Sequence, residues 1–126
     1  MSAPRRARIA DQIQRELAEL IRTELRDPRV GAMVTLTGVE MSRDGSHAKV
    51  FFTVLGAEAA VRDAGEGLRH AAGYLRSLLA HRLTTRSVPE LHFEHDASVE
   101  RGVRLARLID EANAPVKPTR RGRQSR

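Results

Sequence analysis

Apolar positions recur at three- and four-residue intervals near the N-terminus. Ile9, Ile13, Leu17, Leu20, Ile21 and Leu25 fall on one helical stripe, with Arg15, Glu19, Arg22 and Arg26 mostly off it. The pattern predicts a core helix that stops before Pro28, because a residue preceding proline is pushed out of the α region. The period then changes to two. Residues 33–41 and 47–55 are rich in β-favouring types, and Asp44-Gly45 between them signals a hairpin turn. In the second strand Ala48, Val50, Phe52 and Val54 share one face, and His47, Lys49, Phe51 and Thr53 the other. In the first, Val34 and Leu36 are out of phase with Val39 and Met41, and the slip falls at Gly38. A bulge there restores a common buried face.

The helical period returns over residues 57–72, where Ala57, Ala60, Val61, Ala64, Leu68 and Ala71 are in phase. Gly65 and Gly67 weaken this helix by roughly 1 kcal/mol each relative to alanine, so packing has to hold it. Ala71-Ala72-Gly73 reads as a kink, with small residues that let two helices approach closely. A second helix follows, its buried face made by Leu75, Leu78, Leu79 and Leu83, with Arg76 and Arg82 off that face and turned to solvent or a partner. Pro89 leads into a third strand, in which Leu91 and Phe93 alternate with His92 and Glu94. Asp96 or Ser98 can cap a final helix with Val99, Val103, Ala106 and Ile109 on its buried stripe. After Asn113 two prolines and a high charge density predict disorder. The expected organisation is a single α+β domain over 1–112 with a basic N-terminal arm, and a disordered basic tail over 113–126.

Charge sharpens this picture. The formal net charge is +6, yet Arg5, Arg6, Arg8, Lys117, Arg120, Arg121, Arg123 and Arg126 lie in two end segments that contain no acid. The remaining basic residues are slightly outnumbered by acidic ones, so the basicity lives in the ends. Basic arms on a near-neutral body suit a polyanion, although a charged tail can also serve only to keep a chain soluble. Aromatic residues are 3% of the chain, which argues against a sheet that stacks several bases. Binding should instead run from arginine to phosphate, with Lys49 beside Phe51 as a single outer-face contact. The chain has no cysteine, no secretory signal and no apolar run of membrane-spanning length, which fits a cytoplasmic protein.

Enzyme chemistry finds little support. There is no phosphate-binding loop, and Gly65, Gly67 and Gly73 lack dinucleotide-fold spacing. His92 and His95 are three apart on a strand and should face opposite sides, while His70 and His81 lie either side of the expected kink. No spacing singles out a nucleophilic triad. The sequence predicts no catalytic residue, no cofactor and no metal.

The order helix, strand, strand, helix, kink, helix, strand, with an additional C-terminal helix, resembles a type II KH-like domain. KH domains hold RNA with a Gly-x-x-Gly loop, but no two glycines here stand three apart, and Ala71-Ala72-Gly73 occupies that place. Asp27-Pro28-Arg29, Ser42-Arg43-Asp44, Ser46-His47-Ala48-Lys49-Val50, Leu75-Arg76 and Pro89-Glu90-Leu91-x-Phe93 complete a pattern similar to the bacterial ribosome-binding factor A family. The resemblance spans roughly residues 5–112. It implies a non-enzymatic, monomeric factor that binds the small ribosomal subunit or its precursor, assists late maturation of small-subunit rRNA and supports growth in the cold. Other assembly factors such as a GTPase are implied partners. The resemblance turns the helix after the kink, with Arg76, Arg82 and then Arg86, toward RNA. Arg5, Arg6, Arg8, Arg43, Lys49, Lys117, Arg120, Arg121 and Arg123 join them as candidate RNA contacts. The alternative is a protein-interaction module that docks on a ribosomal protein or GTPase with little direct RNA contact.

Overall fold

A computed structural model describes residues 2–30, 34–85 and 87–98. The chain divides into residues 1–96 and 97–126, and only Ala97 and Ser98 of the second part are described. The expected C-terminal helix beyond Ser98, the basic tail and Arg86 lie outside the described residues.

Helix α1 spans Ala3–Glu24. Ser2 caps it by accepting the Arg5 backbone N–H, and Pro4 sits where a missing N–H costs nothing. Arg5, Arg6 and Arg8, expected in an arm, are therefore in the first turns of a helix. Ile9, Ile13, Leu17, Leu20 and Ile21 are buried, as their spacing predicts. Leu25 leaves helical geometry three residues before Pro28, and Val30 N–H closes a turn on the Asp27 carbonyl at 3.0 Å.

Strands β1 (Val34–Met41) and β2 (His47–Val54) form the hairpin. In its turn Gly45 takes a positive φ of 76° that a side chain would disfavour. The Asp44 carboxylate accepts from the Ser42 and Ser46 hydroxyls, both at 2.8 Å, and from the Ser46 backbone N–H. These bonds, led by the one from the Ser46 N–H, hold its pKa down at about 2. The bulge expected at Gly38 is present: Leu36 pairs with Phe52 and Gly38 with Phe51, so Thr37 is the extra residue. It donates its hydroxyl to Asp96 at 2.6 Å, tying β1 to the end of the third strand.

Strand β3 (Glu90–His95) pairs parallel to β2, giving the order β1-β2-β3. Helix α2 (Glu58–Leu79) makes the crossover between them. It runs without interruption through Ala71, Ala72 and Gly73, so the two helices expected on either side of Gly73 are one element. The reason lies in the apolar pattern: Ala64, Leu68, Ala71, Leu75 and Leu79 are one continuous buried stripe, and keeping it on the sheet outweighs a single glycine. Both helices cover the face formed by Leu36, Ala48, Val50, Phe52, Leu91 and Phe93.

Candidate nucleic-acid interface

The open side of α2 faces β3 across a groove of about 640 Å³. Arg69, Gly73 and Arg76 recur at four- and three-residue steps, so one edge of the helix carries all three into the groove wall. Arg69 donates from Nε to the Phe93 carbonyl at 3.3 Å. Arg76 donates from Nε and Nη2 to the Val88 carbonyl at 3.2 and 2.9 Å. The backbone of β3 and its lead-in thus holds both guanidinium groups at the mouth of the groove, where both side chains stay exposed. Gly73 between them opens onto free space: an added Cβ would meet nothing within 4 Å. The opposite wall is mixed. Phe93 and Leu91 are buried into the core, while Glu90, His92 and Glu94 point outward. Glu94 is paired with Lys49 at 3.8 Å, which places that lysine on the same outer rim. A polyanion would therefore meet attraction along the α2 edge and repulsion from the carboxylates of β3.

Arg82 behaves differently from Arg76. It lies in the turn after α2, and its Nη1 donates to Glu19 at 2.6 Å and Glu16 at 3.2 Å, both on α1. The hydrogen bond from Arg82 lowers the Glu19 pKa, and the two glutamates raise that of Arg82. The Gln12 amide adds a bond to the Arg82 carbonyl at 3.4 Å. Expected to project outward from a helix, Arg82 instead fastens the turn to α1. Arg5, Arg6 and Arg8 stay on the first turns of α1 and Arg43 on the exposed hairpin turn, none of them lining the groove. Lys117, Arg120, Arg121 and Arg123 are outside the described residues.

One arginine of the groove is absent from the candidates that the sequence suggests. Arg69 precedes the expected kink and so falls outside the helix assigned to RNA; its seven-residue separation from Arg76, two helical turns, is the available signal. The other side of α2 is closed. Arg29 forms an ion pair with Asp27 at 2.6 Å and, through that hydrogen bond, holds the Asp27 pKa at about 2. This turn lies against Gly67, where a Cβ would stand 2.6 Å from Val30 Cγ2. The glycine that weakens the helix in isolation is what lets it pack.

A hairpin and a parallel third strand, covered on one face by two helices, define a type II KH-like α+β domain. An uninterrupted helix stands where a Gly-x-x-Gly loop would otherwise be. Residues 5–109 match the profile of ribosome-binding factor A, and the chain belongs to that family. It is 62% identical over 110 residues to the ribosome-binding factor A of Thioalkalivibrio sulfidiphilus, covering 87% of this chain and 84% of that one. The relative from Nitrosospira multiformis is also 62% identical over 110 residues, with 87% and 86% covered. The crystal structure of the Thermus thermophilus factor superposes with a TM-score of 0.64 at 33% identity, covering 71% of this chain and 93% of that one. A homology model of the Thermus thermophilus protein, fitted into a cryo-EM map of a 30S complex with the factor, superposes at 0.61 with 33% identity, covering 73% and 96%.

Proposed function

We propose that this protein is a non-enzymatic assembly factor that binds the small ribosomal subunit or its precursor and assists late maturation of small-subunit rRNA, including in the cold. Family membership and the relative fitted into a 30S complex support the partner. The observation that carries the RNA contact is the edge of α2, where Arg69 and Arg76 flank an open Gly73. A guanidinium anchored by one edge still presents N–H groups to a phosphate, and a missing side chain between two such groups lets a phosphodiester backbone approach the helix. Arg5, Arg6, Arg8, Arg43 and the basic tail add charge that attracts rRNA without reading its sequence. The protein acts in the cytoplasm as a monomer. No described helix is long and apolar enough to cross a membrane.

A second reading is docking on a ribosomal protein or GTPase. The observation in its favour is a groove between α1 and β1 lined by Ile21, Leu25, Val30 and Val34. Co-sedimentation with small subunits across a salt series separates the two. Binding through phosphates falls steeply as salt rises, whereas an apolar protein interface holds. A salt-independent complex would overturn the RNA reading.

A further inference from the structure

The outer face of the sheet carries a group of ligands that sequence spacing conceals. The parallel register sets His47 opposite Glu90 and Lys49 opposite His92. His47 and His92 therefore meet diagonally, Nδ1 to Nε2 at 3.0 Å, with ring centroids 5.1 Å apart. The Glu90 carboxylate reaches both, with one oxygen 3.9 Å from His47 Nδ1 and the other 3.9 Å from His92 Nε2. Among the described residues this is the one group of three His, Cys, Asp or Glu side chains whose ligand atoms converge, all within 4.8 Å of one another.

We propose that His47, Glu90 and His92 form a site for a divalent transition metal of the zinc class. Two imidazole nitrogens around a tetrahedral ion, each at 2.0–2.1 Å, stand about 3.3 Å apart, so the observed pair needs only a slight opening. The carboxylate supplies a third donor, and the solvent side leaves the fourth position to water. Two neutral nitrogens and one carboxylate select zinc, nickel or copper over magnesium, which takes oxygen ligands. Magnesium therefore does not compete. The charged neighbours on this face are Lys49, its partner Glu94, and Glu40, which stands opposite Lys49 on β1. The two carboxylates offset the lysine, so the face does not repel a cation. A bound ion would pin the first residue of β2 to the first residues of β3 and stiffen the outer rim of the groove. Only neutral imidazole ligates, so binding releases protons and weakens on acidification.

The test is calorimetric titration of the full chain with zinc, in excess magnesium, alongside thermal unfolding with and without zinc. The wild-type chain should bind one zinc ion at this site and unfold at a higher temperature when loaded. His47→Ala and His92→Ala should each weaken binding by at least the roughly 10–100-fold seen for losing an outer-shell partner, and should remove the thermal shift. Glu90→Gln should lie between. All three side chains are about half exposed, so the metal-free variants should keep the wild-type midpoint. His70→Ala and His81→Ala should bind as the wild type does. Zinc binding left intact in His47→Ala with His92→Ala, or lost in His70→Ala or His81→Ala, would overturn the site, as would a wild-type chain that takes up no zinc.

Discussion

Helix α2 is closed along one side and open along the other. On the closed side the turn at residues 27–30 presses on Gly67, and Arg82 beyond the helix end is held by Glu16 and Glu19 of α1. On the open side Arg69 and Arg76 are anchored to backbone carbonyls, with Gly73 between them facing free space. Both sides carry glycine and arginine, and in sequence they look alike. The difference is what each arginine meets. A carboxylate partner neutralises the charge within the fold, whereas a carbonyl fixes the geometry and leaves the charge for a ligand.

The largest expected effect is at Gly67. Its Cβ would stand 2.6 Å from Val30 Cγ2 and 3.3 Å from Arg29 Cβ, so Gly67→Ala forces the turn away from the helix. Overpacking of this kind costs roughly 1–3 kcal/mol, outweighing alanine's better helix propensity. Denaturant unfolding should show the loss; an unchanged midpoint would mean that the closed side is not closed.

Gly73→Ala should do the reverse on a smaller scale. With no atom within 4 Å of the new methyl, the helix gains up to about 1 kcal/mol. Subunit binding should nevertheless weaken, because the methyl fills the gap between Arg69 and Arg76. Greater stability with undiminished binding would place the RNA elsewhere.

The smallest effect appears only in acid. Asp27 has its pKa lowered from 3.8 to about 2, first by the hydrogen bond from Arg29. A carboxyl depressed in the folded state contributes stability that is present above the unfolded pKa and lost as pH falls toward the folded one. The contribution should therefore fade between about pH 4 and pH 2. Asp27→Asn should flatten that part of the stability profile, and a profile unchanged by the substitution would contradict the pairing.

Much of this is legible in the chain. The stop of α1 before Pro28, the turn at Asp44-Gly45 and the bulge beside Gly38 each follow from a local rule: a proline clash, a positive φ, a slip in phase. The two helices expected on either side of Gly73 are one because a glycine after two alanines breaks a helix only when weighed locally. The stripe from Ala64 to Leu79, read as a whole, keeps one helix on the sheet. Arg82 and His47 escape sequence reading for another reason. Their partners lie far along the chain, Glu16 and Glu19 for one and His92 for the other, and only helix packing and strand register bring them together. Local pattern sets where a side chain points, but the third dimension decides what it finds there.

We propose that the open side of α2 holds RNA and the closed side does not. It is tested by small-subunit affinity across a salt series for Arg69→Ala with Arg76→Ala, set against Arg82→Ala, with thermal midpoints recorded for each. Losing two phosphate contacts should weaken binding and lower the slope of log affinity against log salt by roughly 1.4 to 1.8. Arg82→Ala should lower the midpoint and leave the slope unchanged. An unchanged slope in the groove variant, or a reduced one in Arg82→Ala, would contradict the account.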